Sequence, residues 1–466
     1  MNIATLSATK IIQAIREKQL TSVEVSQYFI DRIQAVNPTI NAVCQFKPDQ
    51  VLAAAQAADH KQKNGETLGP LHGLPITIKN TTQVKGYVFD RATHAFPQTP
   101  EPKDSTVIQR LKASGAIILG ITNGPEMFVA YESDNAVYGR TSNPYDLTRT
   151  PGGSSGGEAA IIAAGGSPLG LGSDAGGSLR QPAHSTGICT IHPTPQRIPI
   201  AGQNDQAVIG GLMRQCLSMG PMARYMEDCE LLLSVIQGPD AYDALPIDMP
   251  LLPSANVDIK SLRIGYFTDV PQTTTQPEIK QGMLSLLDKL HADVACIEPV
   301  SLLNIEHIHE LQWETIFWQG NGANGIRQAL SGLSDDQKTP LIKQFLAQAD
   351  QARFDTAELI RRLTEGEKMQ NSFHRLMQEY GLILCPVQAT TALPHGEAHN
   401  HHDKFAFVRY FNLINNPVGT VNIGFDQQGL PFGMQLAARP FCEHHVFALG
   451  HYLQQHYCPI PSVVTP

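Results

Sequence analysis

The chain lacks the features that mark secreted, membrane-spanning and nucleic-acid-binding proteins. Its eight cysteines are scattered, none belongs to a C-x-x-C pair, and no apolar leader opens the sequence. We therefore expect reduced thiols and a cytoplasmic location. No run of about 18 apolar residues occurs, which predicts that no segment spans a membrane. The net charge of −9 and the lack of any basic block argue against a nucleic-acid partner.

What the chain does contain is material for a large core, because apolar residues make up 42% of its 466 positions. Short apolar runs alternate with helical patterns, which is typical of an α/β layer fold with a largely buried sheet. The region 301–380 is mostly helical in pattern. The predicted strands are 73–78, 116–121, 262–267, 292–297, 382–387, 418–425 and 432–438, and 167–174 is predicted to be extended.

The most unusual segment is "GGSSGGEAAIIAAGGSPLGLGSDAGGSLR" (152–180), with ten glycines and five serines. A phosphate-binding loop requires a lysine after its second glycine, but Glu158 stands there and would repel phosphate. "GLGSDA" (170–175) formally matches a dinucleotide fingerprint. However, prolines follow it instead of a helix, and no acid lies about 20 residues further on. Both interpretations are therefore disfavoured.

A nucleophilic serine is the remaining interpretation, and the segment offers two places for it. "GGSSG" (152–156) matches a nucleophile elbow of the esterase type, with Ser154 or Ser155 as nucleophile, but a loop precedes it where the elbow needs a strand. In "SDAGGSLR" (173–180), successive backbone N–H groups lead into Ser178, which suits an oxyanion hole followed by a nucleophile. Spacing alone leaves open that these glycines serve only a tight turn.

The base is harder to find, because no histidine occupies a position that singles it out. A lysine can serve when burial keeps it neutral. Lys79 closes the apolar run "GLPITI" (73–78), so its amine is expected in or beside the core. The alternatives are a buried lysine paired with an acid, or one that reaches solvent at the strand end.

Taken together, these motifs resemble the amidase signature family of serine hydrolases. Residues 152–183 look like the defining segment of that family almost throughout, and "GLPITIKN" (73–80) resembles the motif that carries its lysine. The resemblance spans nearly the whole chain and implies one large α/β/α domain over residues 1–466, with a mixed central sheet flanked by helices on both faces. Further family blocks follow in the expected order at 120–127, 138–146, 220–233 and 429–449.

The resemblance implies a Ser–cis-Ser–Lys triad, with Ser178 as nucleophile, Ser154 as the bridging serine and Lys79 as base. It also implies a cis peptide bond between Gly153 and Ser154. Such a site would hydrolyse a small-molecule amide through an acyl-enzyme, releasing a carboxylic acid and ammonia or an amine, without metal or cofactor. The oxyanion hole maps to the N–H groups of Ala175, Gly176, Gly177 and Ser178, and Ser155, Asp174 and Arg180 match supporting positions.

Other roles remain open at this stage. The chain could be the glutamine-hydrolysing subunit of an amidotransferase that passes ammonia to a partner protein. It could also be an inactive family member used for binding, although the intact triad argues against this. A homodimer is a further expectation, and the amide substrate itself cannot be identified from these motifs.

Four features fall outside the family pattern or carry weaker signals. Asn80 stands where the family usually has aspartate, and Gln181 stands where an apolar or aromatic residue is common, at a position that could contact an acyl pocket. The histidine-rich "HGEAHNHHDK" (395–404) could bind a metal but is expected to be an exposed loop. Both tryptophans lie in "WETIFWQGN" (313–321), where helix packing is favoured over a substrate pocket.

Overall fold

One sheet of eleven strands forms the centre of the computed structural model, which describes residues 2–202 and 211–466. In chain order the strands are β1 Val43–Phe46, β2 Pro75–Lys79, β3 Ile117–Thr122, β4 Leu169–Asp174, β5 Cys189–His192, β6 Ser218–Ala223, β7 Arg263–Tyr266, β8 Cys296–Pro299, β9 Leu382–Pro386, β10 Val418–Phe425 and β11 Pro431–Ala437. Their order across the sheet is β1-β3-β2-β4-β6-β5-β10-β11-β9-β7-β8.

The sheet mixes parallel and antiparallel neighbours. β2 runs parallel to β3 and β4, and β7 runs parallel to β8 and β9, whereas the other neighbouring pairs are antiparallel. Strands β2, β4 and β6 are buried along their whole length, as expected where helices cover a sheet. The predicted fold class, an α/β fold with a mixed central sheet and flanking helices, is confirmed.

Helices of very different length surround the sheet. In the described residues, none of them is long and apolar enough to cross a membrane. The α-helices are α1 Ala8–Arg16, α2 Ser22–Ile40, α3 Pro48–Lys63, α4 Thr106–Ala113, α5 Gly156–Ala163, α6 Arg180–Thr186, α7 Leu212–Cys216, α8 Met226–Ile236, α9 Pro277–Leu290, α10 Asn324–Ala329, α11 Pro340–Gln351, α12 Thr356–Glu379, α13 Ala406–Leu413 and α14 Glu443–His456. A π-helix covers His309–Trp318, and short 3-10 helices cover Ile3–Thr5, Glu126–Phe128, Ser254–Asn256, Ile259–Ser261, Ile305–His307, Asp335–Gln337, Ala398–Asn400 and His402–Phe405.

Most predicted elements occur close to their expected positions. Helix α2 begins at a capping box in which Thr21 and Glu24 satisfy each other's backbone N–H groups. The strand expected at 292–297 is displaced, because α9 ends in a turn closed by the bond from Asp293 N–H to Leu290 C=O, and β8 starts only at Cys296. Strands β1, β5 and β6 were not predicted.

The core has two parts. The larger cluster lines the sheet and contains the inward residues of α1, α2, α5, α8 and α14. A smaller cluster joins α12, α13 and β9 through residues such as Phe373, Phe411 and Ile383. The segment 152–180 belongs to the larger cluster, so its polar groups lie in an environment with little water.

Candidate active site

The candidate site lies where two parallel neighbours of the sheet end. β2 and β4 pair in register, with Ile78 opposite Leu171. Because the carboxyl ends of parallel strands meet at one edge, Lys79 at the end of β2 lies beside Ser173 near the end of β4. Lys79 Nζ donates a hydrogen bond to Ser173 Oγ at 3.0 Å.

Lys79 is also the contact between this edge and the serine-rich loop. Its Nζ donates to Ser154 Oγ at 2.7 Å, and the side chain is fully buried. Among the described residues, no carboxylate forms a salt bridge with it. Burial lowers the pKa of Lys79 to about 7, against the attraction of Asp174 and Glu158, which favours the charged form. A substantial fraction of this lysine is therefore neutral near pH 7.

Glu158, in the first turn of α5, is the second buried titratable group beside the site. Burial raises the pKa of Glu158 to about 8, against the hydrogen bonds that it accepts. Thr122 Oγ1 donates to one carboxyl oxygen at 2.8 Å, and Thr77 Oγ1 donates to the other. Since this carboxyl is largely protonated near pH 7, it provides little negative charge to hold Lys79 as an ammonium.

The loop that carries Ser154 is fixed by its neighbours. The Gly153–Ser154 peptide bond is cis, as the family resemblance implied. Gly153 has no room for a side chain, because a Cβ there would lie 2.5 Å from the backbone nitrogen of Glu132. Its N–H donates to Gln181 Oε1 at 2.9 Å, and Gln181 Nε2 in turn donates to Ser185 Oγ at 3.1 Å. Gln181 is thus a buried support of the Ser154 loop.

Asp174, the last residue of β4, organises the turn that leads into α6. Its carboxylate forms a fully buried ion pair with Arg180 Nε at 3.1 Å and accepts from Asn412 Nδ2 at 2.9 Å. It also accepts the N–H groups of Gly177 at 2.7 Å and Leu179 at 3.1 Å. Burial alone would raise the pKa of Asp174, but the Arg180 guanidinium and these bonds hold it well below its usual range.

The four N–H groups predicted for the oxyanion hole do not share one environment. The Gly177 N–H is occupied by Asp174 Oδ1. Within the described residues, the N–H groups of Ala175, Gly176 and Ser178 donate to no protein acceptor. Gly177 has φ +115°, and a Cβ there would lie 2.5 Å from Val408 Cγ2, so the turn requires glycine at this position.

Ser178 is the member of the turn that reaches solvent, since it is partly exposed while its neighbours are buried. The Ser155 N–H donates to the Ser178 carbonyl at 3.2 Å, which joins the turn to the serine-rich loop. Between residues that the structure describes, no hydrogen bond links the hydroxyls of Ser154 and Ser178. The structure therefore brings Lys79 and Ser154 into direct contact and places Ser178 next to them through the main chain.

The two serines proposed for a nucleophile elbow are poorly placed for that role. The Ser155 hydroxyl is fully buried and donates to the Ser173 carbonyl at 3.2 Å. Ser154 is 2% exposed and its hydroxyl is engaged by Lys79. The residues before Ser154 form turns and loops and include no strand, so the strand–turn–helix arrangement of an elbow is absent from this described segment.

Asn80, the departure beside the lysine, points toward another acid. Its Nδ2 donates to Asp90 Oδ1 at 3.0 Å, and both side chains are buried. Asp90 also accepts from the Tyr138 hydroxyl at 2.5 Å. The amide therefore avoids the close approach of two side chains that would repel each other if both were carboxylates.

The histidine-rich segment and the tryptophans are more buried than their sequence suggests. The expectation of an exposed loop at 395–404 is wrong in part, because His399 is only 3% exposed. Among the described residues, no group of three or more His, Cys, Asp or Glu side chains is arranged to hold a metal ion. Trp313 and Trp318 are buried in the π-helix, in agreement with the predicted packing role.

Several residues around the turn were not found from the sequence. Their hydrogen bonds reach the turn from segments more than 40 positions away, and no local pattern marks them. Ser173 could have been noticed, since it directly precedes Asp174 in the glycine-rich segment. The others are Tyr131, Gln312, Arg409, Asn412 and Gln435.

Comparison with known proteins places this fold and site in the hydrolase class. The chain belongs to the amidase family, because the family model described as Amidase matches residues 24–447. It is 30% identical to fatty-acid amide hydrolase 2 of Homo sapiens, with 97% of this chain and 90% of the relative covered. It is 32% identical to a glutamyl-tRNA(Gln) amidotransferase subunit of Chloroflexus aurantiacus, with 97% and 96% covered.

The fold is shared with solved structures as well. A structure of fatty acid amide hydrolase superposes with a TM-score of 0.87 at 24% identity, covering 97% of this chain and 85% of that one. At this identity the likeness supports the fold alone. It agrees with the mixed sheet and flanking helices described above.

Proposed function

We propose that this chain hydrolyses the carbon–nitrogen bond of linear amides through an acyl-enzyme on Ser178. The observation that carries the proposal is the buried amine of Lys79, which lies 2.7 Å from Ser154 Oγ and has its pKa lowered to about 7. A neutral amine at this distance can take a proton from the hydroxyl. Membership of the amidase family supports the same chemistry.

In the proposed reaction, Ser178 Oγ attacks the amide carbon while its proton passes to Ser154 Oγ. Ser154 gives its own proton to Nζ of neutral Lys79, so the site gains no net charge. When the tetrahedral intermediate collapses, the carbon–nitrogen bond breaks and the proton returns through Ser154 to the leaving nitrogen. Water then attacks the ester of Ser178 by the same route and releases the carboxylic acid.

The negative charge that develops on the carbonyl oxygen needs donors that are already in place. We propose the N–H groups of the turn 175–178 for this role. Those of Ala175, Gly176 and Ser178 are not engaged by protein acceptors in the described residues, whereas that of Gly177 already meets Asp174. The Asp174–Arg180 pair and Ser155 support the turn from within the core.

The test is to locate the nucleophile directly. A fluorophosphonate probe should label the peptide that carries Ser178, and Ser178→Ala should lose labelling and turnover of a chemically diverse amide and ester panel. The exposed Ser234, whose hydroxyl only caps its own helix, provides the matched control Ser234→Ala. Labelling at Ser154 or Ser155, or turnover that survives Ser178→Ala with an intact fold, would refute the mechanism.

A second candidate is the glutamine-hydrolysing subunit of an amidotransferase, since a 32% identical relative bears the name of such a subunit. The same site would release ammonia to a partner protein. Gel filtration and a native pull-down separate the two candidates, because a free-standing enzyme turns over amides without a partner. A homodimer and a cytoplasmic location remain predictions that the same gel filtration and a fractionation experiment address.

A further inference from the structure

The turn 174–178 is held from the side opposite its free N–H groups by two buried side chains. The Tyr131 hydroxyl donates to the Gly176 carbonyl at 2.6 Å. Gln312 Nε2 donates to the Ala175 carbonyl at 3.0 Å. Both side chains are almost completely buried, so neither bond competes with solvent.

These two bonds determine where the amides of the turn point. In a trans peptide the C=O and the following N–H point in opposite directions. A carbonyl of Ala175 held by Gln312 therefore directs the Gly176 N–H away from the π-helix. A carbonyl of Gly176 held by Tyr131 likewise directs the Gly177 N–H to the other side, where it meets Asp174 Oδ1 at 2.7 Å.

The direction of the Tyr131 hydroxyl is itself determined by Arg409. Arg409 Nε donates to Tyr131 Oη at 3.1 Å. A guanidinium has only donors, so the tyrosine oxygen must accept there, and its single proton is committed to the Gly176 carbonyl. The ring of Tyr131 is fixed by stacking on Phe405, with centroids 4.0 Å apart, and on Trp313 at 5.3 Å.

Arg409 is an uncommon buried cation. It is 1% exposed, and among the described residues it forms no salt bridge with a carboxylate. Instead it is bonded to two imidazoles, at 2.9 Å to His309 Nδ1 and 2.7 Å to His402 Nδ1. Burial and the nearby guanidinium lower the pKa of His309 to about 3 and that of His402 further still, so both rings are neutral acceptors.

We propose that Tyr131, oriented by Arg409, and Gln312 are positioning residues that aim the backbone donors of the oxyanion hole. The unpaired positive charge of Arg409 lies behind a turn on which negative charge develops, and it polarises the same hydrogen-bonded chain. This inference rests on the proposed function of the turn. It predicts that losing either anchor weakens the transition state while substrate binding is preserved.

The test uses Tyr131→Phe, which removes one hydroxyl and keeps the stacked ring. We expect kcat to fall about tenfold with KM changed less than about twofold, because a displaced oxyanion donor costs less than the 10²–10³ of a deleted one. The second-order rate of fluorophosphonate labelling at Ser178 should fall by a similar factor, and this readout needs no knowledge of the substrate. Gln312→Leu, on the second anchor, should have the same effect.

The matched control is Tyr410→Phe on the helix that carries Arg409. The Tyr410 hydroxyl is buried like that of Tyr131 but has no hydrogen-bond partner among the described residues. We expect wild-type kcat and labelling for this variant. Equal kinetics for Tyr131→Phe and Tyr410→Phe, or a rise in KM at constant kcat for Tyr131→Phe and Gln312→Leu, would overturn the inference.

The same set separates this inference from the proposed function. If Ser178→Ala loses all labelling while Tyr131→Phe behaves as wild type, the nucleophile stands and only the positioning role is lost. If Ser178→Ala still turns over substrate, the proposed function fails regardless of the Tyr131 result. Thermal unfolding of each variant checks that a lowered rate reflects the active site and not an unfolded fraction.

Discussion

Replacing Lys79 by methionine should make the stability of the protein depend differently on pH. The lysine pKa falls from 10.5 in the unfolded chain to about 7 in the folded protein, chiefly because the amine is buried. Between these values the unfolded chain binds more protons than the folded one. The wild-type protein therefore gains stability as the pH rises from 7 toward 10.5, and Lys79→Met does not share this gain.

The size of the effect follows from about 1.4 kcal/mol per pKa unit. Removing the proton from Lys79 on folding costs about 4 kcal/mol at pH 7 and about 2 kcal/mol at pH 9. The difference in unfolding free energy between wild type and Lys79→Met should thus change by about 2 kcal/mol over this interval. The hydroxyls of Ser154 and Ser173 lose their partner equally at both pH values, so that penalty cancels.

The assay is urea unfolding at pH 7, 8 and 9, followed by the fluorescence of the two buried tryptophans. Glu158 titrates in the same range in both proteins, and comparing the two removes most of its contribution. At pH 7 Lys79→Met should be closest to, or above, the wild type in stability, and it should have no activity at any pH. A difference that stays constant within about 0.5 kcal/mol would mean that folded Lys79 remains protonated, and the proposed base would be lost.

Two further predictions concern the same lysine and its neighbour. The kcat/KM of the wild type should rise about tenfold per pH unit below pH 7 and level off above it, as neutral Lys79 accumulates; a profile that is flat from pH 5 to 9 on the best amide of the panel contradicts this. Asn80→Asp places a second carboxylate beside Asp90, now 3.0 Å from the Asn80 amide, and should lower stability by about 1–3 kcal/mol at pH 7 and less at pH 4, with activity retained. Thermal unfolding at the two pH values measures the change, and a strong rise in activity would instead identify Asn80 as a defect of this chain.

The parts of the fold that the sequence predicts are those with a strong local pattern. The apolar run before Lys79 and the alternation of strands and helices identify β2, β3 and β4 because each is a short buried run between turn residues. β6 escaped prediction because it contains Gly220 and Pro221, which normally argue against a strand interior. β1 and β5 have only four residues each, too few for a clear alternation.

The candidate site divides in the same way. The glycines and serines of 152–180 are local, so their pattern predicts the loop and the turn. The groups that support them are distant in sequence, such as Gln312 against Ala175 and Asn412 against Asp174. Such bonds depend on how helices pack across the finished sheet. The burial of Lys79 was predicted, but the degree to which its pKa falls depends on the protonated Glu158 beside it.

The position of these supports along the chain has a consequence for biosynthesis. Ser178 leaves the ribosome long before Gln312, Arg409 and Asn412 have been made, yet these later residues hold the turn around it. Because a chain is synthesised from its N-terminus, a growing polypeptide carries the nucleophile without the groups that aim its donors. The enzyme would thus stay inert until translation is almost finished, and products of early termination would not hydrolyse amides in the cell.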